Sequence, residues 1–185
     1  MDATTAYGIG LTIKSVDQGY IVAANLKDIV FAFNIKNQYD GKYSIKGKFY
    51  HPSYPYIPFA TTVEMHTSGP NSVKMYWPAA DDYANPWSTG SALTWFDLQD
   101  PDFTINPATN AVTVQNVSAG AVTFYVMGQG FDNLGYNSRY ELTPVPPNTT
   151  PKTIYACYGY NAPGGVFAAG TTRMWIDTLV YTGPR

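Results

Sequence analysis

Alternation with a period of two residues is the feature of this sequence that most limits its fold, because helical spacing of apolar residues is never sustained for three turns. The clearest case is the segment 43–49, where one strand face is apolar and the other is polar: Tyr43, Ile45, Gly47 and Phe49 against Ser44, Lys46 and Lys48. A glycine on the apolar face predicts a bend of the kind found at barrel corners. The pattern predicts an all-β chain.

The clearest hairpin joins residues 103–105 to residues 111–114, with Pro107 suited to a turn corner and Asn110 to left-handed geometry. The segment 20–35 predicts two short strands hinged near 25–28. Further strands are predicted at 61–66, 72–77, 122–127, 138–143, 153–160 and 171–181. The segment 91–98 is read as a helical turn, 144–151 as a rigid loop, and 161–170 as a hairpin loop.

Many short strands in a chain of 185 residues fit one domain with a substantial apolar core. A closed or nearly closed antiparallel barrel would leave no long exposed edges, and a two-sheet sandwich would do so almost as well. Strand spacing alone does not separate these two architectures.

The charge content argues against several classes of partner. Charged residues make up 13% of the chain and the net charge is -2, so no basic field is present to gather nucleic acid. No apolar run is long enough to predict a transmembrane segment. The single cysteine, Cys157, lies in an aromatic strand-like run and is read as a small buried hydrophobic residue.

No residue pattern predicts catalysis, a cofactor or a metal site. His51 and His66 fit no metal-ligand spacing and no nucleophile motif with Cys157. The aspartates at 81–82 and at 97, 100 and 102 match no calcium loop, and their neighbouring prolines favour turns. We therefore expect a protein that is not an enzyme.

The candidate ligand-binding residues are aromatic side chains in or beside segments interrupted by proline, together with one carboxylate. They are Tyr54, Tyr56, Trp77, Asp82, Tyr83 and Trp87. Such rings can stack on sugar rings while the carboxylate accepts hydrogen bonds from hydroxyls. The alternative is that the rings cap the barrel ends and belong to the core.

Three stretches resemble the C-terminal module of surface lipoproteins from Bacteroidota polysaccharide-utilisation systems: 23–43, which contains Tyr39-Asp-Gly41-Lys-Tyr43, Thr67-Ser-Gly-Pro-Asn71-Ser-Val73, and Arg173-Met-Trp-Ile-Asp177-Thr-Leu-Val-Tyr181. The resemblance implies a lipocalin-like barrel over 37–185, with 1–36 as strands that could end a preceding immunoglobulin-like domain. It also implies a lipid-anchored protein at the outer-membrane surface or in the periplasm, near glycan importers. It supplies no catalytic or binding residues.

Three functional hypotheses follow. The first is a non-enzymatic extracytoplasmic module that binds polysaccharide or oligosaccharide and works beside outer-membrane glycan importer components. The second is a lipocalin-like barrel that holds a lipid or small apolar ligand inside. The third is a structural or assembly domain.

Overall fold

The structure, a computed structural model, describes residues 7–33, 35–119, 122–142 and 152–185, without the side chains of residues 33, 55 and 56. It is built of strands, with short 3-10 turns at Ala24–Leu26 and Pro163–Gly165. The strands are β1 (Tyr7–Thr12), β2 (Asp28–Phe33), β3 (Gly41–His51), β4 (Tyr54–Gly69), β5 (Ser72–Tyr76), β6 (Trp87–Ser88), β7 (Leu93–Thr94), β8 (Pro101–Ile105), β9 (Val112–Asn116), β10 (Tyr125–Val126), β11 (Arg139–Leu142), β12 (Lys152–Tyr160) and β13 (Arg173–Gly183).

The main antiparallel sheet has the strand order β10-β12-β13-β3-β4-β5-β8-β9, and β11 also pairs with β12. Ala111, just before β9, forms a bridge with Arg139 of β11, and the Val112 amide donates to the Ser138 carbonyl at 3.0 Å. These contacts join the last strand of the sheet to β11 and so back to β12. The sheet is a nearly closed, lipocalin-like barrel, which decides between the two architectures that strand spacing left open.

Side chains fill the inside of the barrel. The buried cluster draws on every strand of the main sheet except β10 and is rich in aromatic rings. Its fully buried members include Tyr39, Tyr43, Ile45, Phe49, Met65, Val73, Met75, Phe103, Ile105, Ile154, Tyr158, Trp175 and Leu179. An interior packed in this way resembles the small barrels in which side chains, and not a ligand, occupy the lumen.

A second, smaller buried cluster lies on the outer face of β12 and β13. Met174 is fully buried there against Cys157, Met127 and Tyr50, and the Tyr50 ring stacks on Phe131 with centroids 5.3 Å apart. The loops around 127–136 and 161–172 cover this part of the sheet. The outer face of β13 is therefore covered at Met174, whereas Ile176 and Thr178 farther along the strand are only half-buried.

Most predicted strands are confirmed within one to three residues at their ends, including the 103–114 hairpin, whose Asn110 has a φ of 59°. The predicted loop 144–151 lies outside the described residues. Two other segment predictions are wrong. Residues 20–25 form coil and a 3-10 turn instead of a strand, and the partner of β2 is β1. The segment 91–98 contains β7, paired with β6, instead of a helical turn, because Gly90 with φ 96° allows a tight reversal.

The prolines at 55 and 58 lie inside β4, although sequence analysis placed the neighbouring aromatic residues in or beside loops. Residues 54–63 of β4 pair with β3, whereas pairing with β5 begins only at Glu64. This half of β4 is thus an edge on one side, where a missing backbone N–H is tolerated.

Strands β1 and β2 form a two-stranded sheet of their own. Ile9 lies opposite Phe31, and Leu11 lies opposite Ile29, so these four side chains share one face. They are 45–53% exposed. The assignment of 1–36 and 37–185 to different domains stays a prediction.

A polar group lies inside the barrel at Asp177, which is 2% exposed. The Tyr158 hydroxyl is 3.0 Å from both Asp177 Oδ2 and Asn85 Oδ1. Burial raises the pKa of the Asp177 carboxyl to about 8, although its hydrogen bond with Tyr158 opposes the shift. A protonated Asp177 carboxyl can donate a hydrogen bond to the Tyr158 hydroxyl, and that hydroxyl can donate one to Asn85 Oδ1. Each of the two contacts then has its own proton.

Gly47 makes room for this carboxyl. It lies opposite Asp177 on β13 and opposite Phe59 on β4. A methyl group at this position would overlap both the Phe59 ring and Asp177 Oδ1. The glycine predicted to mark a bend is therefore required by close packing inside the barrel.

We predict that Asp177→Asn flattens the pH dependence of stability. Because the folded pKa of Asp177 lies above its unfolded value of about 3.9, the free energy of unfolding falls as pH rises toward 8, by up to about 1.4 kcal/mol per pH unit. Urea denaturation between pH 5 and 8 measures this slope. The exposed Asp17→Asn is the control. If Asp177→Asn shows the same dependence of unfolding free energy on pH as the wild type, the pH dependence does not come from Asp177.

We predict that Gly47→Ala lowers the free energy of unfolding by about 1–3 kcal/mol, because the added methyl group overpacks the barrel interior. Gly10→Ala, where a methyl group meets no atom within 4 Å, is the matched control and should leave stability unchanged. Urea denaturation compares the two variants. Equal stabilities for both would show that the interior has room at Gly47.

Candidate functional site

The structure does not bring the six predicted residues onto one surface. Trp77 and Trp87 are core residues, 3% and 7% exposed, whereas Tyr54 is 44% exposed. Tyr56 lies in β4, but its side chain is outside the described residues. Asp82 is exposed and Tyr83 is half-buried.

The two tryptophans are held by their surroundings and present no ring face to solvent. Trp77 donates its indole N–H to Thr61 Oγ1 at 3.3 Å. The Trp87 ring stacks on Phe96 with centroids 4.8 Å apart and also lies 4.8 Å from Phe49. For this pair the structure agrees with the alternative that the rings belong to the core.

Tyr83 belongs to a cluster on the outer face of β4 and β5. Its hydroxyl lies 3.1 Å from His66 Nδ1, and the Lys74 ammonium lies over its ring at 4.1 Å. The His66 ring stacks on Tyr76 at 4.8 Å, and the hydrogen bond from Tyr76 to Asp81 raises the pKa of that phenol to about 12. These rings already contact each other and their charged neighbours, which leaves Tyr83 poorly placed to stack on a ligand.

Asp82 stabilises the turn that follows β5. Its carbonyl accepts from the Trp77 amide at 2.8 Å, and its carboxylate accepts from the Tyr83 amide at 2.7 Å. Asp81, which precedes it, has a φ of 56°. The geometry assigns Asp82 to turn formation.

Trp95 is the exposed tryptophan. All four tryptophans of the chain lie within the described residues. Trp95 is 39% exposed, and each of the other three is less than 10% exposed. Its ring lies edge-on against Trp77, with centroids 5.6 Å apart and planes at 72°. Because Trp77 is itself buried and hydrogen-bonded, the ring of Trp95 has a rigid support.

A shallow cleft of about 310 Å³ surrounds this ring, lined by Thr94, Trp95, Phe96 and Asp97. Phe96 points inward and stacks on Trp87, whereas Asp97 is exposed. We call Thr94, Trp95 and Asp97 the Trp95 platform. It combines an aromatic face, a hydroxyl and a carboxylate, the groups that bind a neutral polyol.

The Trp95 platform was not predicted from the sequence, because the segment 91–98 was read as a helical turn. The order of Thr94-Trp-Phe-Asp97 is polar, apolar, apolar, polar, so it carries no period-two alternation, although an extended backbone there places Trp95 and Phe96 on opposite faces. An extended reading identifies two opposed aromatic residues, but it does not show which one faces solvent.

Other reactive side chains are held in unreactive states. Burial raises the pKa of the Cys157 thiol well above its usual value, and its sulfur lies 3.7 Å from that of Met174.

Within the described ranges, no group of three or more His, Cys, Asp or Glu side chains could hold a metal ion. Nor does any helix in the part of the chain that is described have the length and apolarity needed to cross a membrane.

Comparison with known proteins gives the fold and no activity. No protein-family model matches the chain, and no curated protein matches it. A crystal structure of a structural-genomics protein of unknown function from Bacteroides ovatus is similar over 85% of this chain, with 12% sequence identity and a TM-score of 0.55. The chain spans 46% of that protein's length. The similarity agrees with the Bacteroidota part of the resemblance.

We predict that Trp95→Phe removes most of the tryptophan fluorescence that iodide can quench, because the other three indoles are buried. Steady-state quenching with iodide measures the accessible fraction. Trp87→Phe removes a buried indole and is the matched control, for which quenching should persist. Unchanged quenching in Trp95→Phe would show that the ring is shielded.

Proposed function

We propose that this chain is a non-enzymatic, extracytoplasmic module that binds glycans through the Trp95 platform. The observation that carries the proposal is a tryptophan ring that is exposed to solvent yet fixed by edge contact with buried Trp77. A ring held in this way loses little conformational entropy when a sugar stacks on it. The Asp97 carboxylate and the Thr94 hydroxyl lie beside it in the same cleft.

The expected affinity is low. One stacked ring contributes about 1 kcal/mol beyond burial of its area, and hydrogen bonds that the carboxylate accepts and that the hydroxyl donates or accepts add a similar amount. These two contributions total about 2 kcal/mol, and the apolar area that the ring buries adds about as much again, so binding in the millimolar range is expected for a single site. Retention of a polymer by repeated weak contacts suits such a module.

The proposed setting is the outer-membrane surface or the periplasm, in a protein that is lipid-anchored in its full-length form. Support comes from the resemblance to surface lipoproteins of polysaccharide-utilisation systems and from the similar fold in Bacteroides ovatus. In that setting, components of an outer-membrane glycan importer are the proposed partners.

The packed interior weighs against a ligand inside the barrel. Phe103, Tyr158 and Trp175 occupy the space that a lipid would need, and each is fully buried. Mass spectrometry of gently purified protein would reveal a co-purifying apolar molecule if that alternative holds. A structural or assembly domain would instead show saturable binding to a protein and no response to glycans.

The test is native affinity electrophoresis through gels that contain plant, microbial or host polysaccharides, with mobility normalised to a gel without polysaccharide. We expect retardation by at least one neutral glycan and a loss of affinity of about fivefold or more in Trp95→Ala. Tyr20→Ala, which removes a ring that is 73% exposed on the N-terminal segment, is the matched control and should remain retarded.

Two results would contradict the proposal in different ways. Retardation that persists in Trp95→Ala would place the glycan site elsewhere on the barrel. Uniform migration of the wild type in every gel would remove the glycan-binding function itself.

A further inference from the structure

A groove lies across the outer face of the sheet. One part measures about 660 Å³ and is lined by residues of β3, β4 and β13. A second part of about 230 Å³ is lined by β12, β13 and the residues leading into β11. Ile176 and Thr178 line both parts, so the two parts lie side by side on the sheet.

The strand register explains how the groove is built. Lys46 lies opposite Ala60 on one side and Thr178 on the other, and Thr178 lies opposite Tyr155, which lies opposite Arg139. This row crosses five strands, a distance of about 19 Å at the usual strand spacing. A parallel row places Lys48 between Pro58 and Ile176.

The groove carries positive charge although the chain as a whole has a net charge of -2. Lys46 and Lys48 are two residues apart on the same face of β3, about 6.8 Å between Cα atoms. Lys46 is exposed and forms no ion pair within the described ranges. At the far end, Arg139 lies over the Tyr155 ring at 4.1 Å and pairs with Glu141 at 2.5 Å, so its charge is partly compensated.

The rest of the lining suits a polyhydroxylated chain. Ile176, Pro58 and Ala60 give an apolar floor against which the flat face of a sugar ring can lie. The Thr178 hydroxyl and the exposed Asn137 amide offer hydrogen bonds to hydroxyl groups. Negative groups on the ligand would face Lys46 and Lys48.

Other anionic polymers fit the groove less well. Single-stranded nucleic acid is bound by stacking on aromatic faces, and the Tyr155 ring is covered by Arg139. An acidic peptide that adds a strand needs a sheet edge with free backbone N–H groups. Strands β3, β13 and β12 are each paired on both sides, and the edge half of β4 carries Pro55 and Pro58, which have no N–H to donate to an added strand. An oligosaccharide lies across strands without needing an edge.

We propose that this groove binds an acidic oligosaccharide, with its carboxylate or sulfate groups placed against Lys46 and Lys48. The groove shares no lining residue with the Trp95 platform, so it is a second site with its own ligand chemistry. Binding of an acidic oligosaccharide in this groove is therefore tested independently of neutral glycan binding at Trp95.

The test is affinity electrophoresis at low salt through gels that contain polygalacturonate, chondroitin sulfate or uncharged dextran, with mobility normalised to a gel without polysaccharide. We expect retardation by polygalacturonate or chondroitin sulfate, and the comparison of the two distinguishes carboxylate from sulfate recognition. Retardation should weaken as salt is raised. Lys46→Glu/Lys48→Glu should lower the affinity about tenfold or more.

Lys14→Glu/Lys27→Glu makes the same change in net charge at exposed positions of the N-terminal segment and should keep the wild-type retardation. Trp95→Ala should keep it as well, which separates this site from the Trp95 platform. Circular dichroism verifies that each variant is folded. The proposal is overturned if the wild type is not retarded by either acidic polysaccharide, or if the two double variants lose retardation equally.

Discussion

The Trp175 ring is the contact on which the rest of the barrel depends. It is fully buried on β13, lies 4.6 Å from Phe49 of β3, and stacks on Tyr158 of β12 with centroids 5.8 Å apart. Its indole N–H donates to the Pro86 carbonyl at 3.2 Å, which ties the segment before β6 to the core. One side chain therefore joins three neighbouring strands and a capping segment.

A core of this kind leaves the outside of the barrel as the surface available to a ligand. Rings that meet at the centre leave the interior to side chains, and Asp177 adds a buried carboxyl that its Tyr158 contact holds in place. Gly47 has no side chain, and this leaves room for that carboxyl. The packing of the core does not fix the chemistry of the outer face, which presents a fixed indole at Trp95 and a cationic groove at Lys46.

Local alternation predicted much of the fold but little of the site. The alternation in 43–49 identified the inward faces of β3, and Asn110 marked the hairpin turn, because both depend on neighbouring residues. Barrel closure rests on the pairing of Ala111 with Arg139, a long-range contact that leaves no local pattern. Likewise, Trp77 and Trp95 look alike in sequence, and only the packed structure shows that one supports the other.

The most direct test of an outer-surface binding protein is a heteronuclear NMR titration of the labelled chain with oligosaccharides from a glycan that retards it. We expect chemical-shift changes at the Trp95 indole for a neutral ligand and at the Lys46 and Lys48 amides for an acidic one, while interior residues such as Leu179 remain unchanged. Shifts concentrated at Leu179, Phe103 and Tyr158 would contradict it, because they would place the ligand inside the barrel.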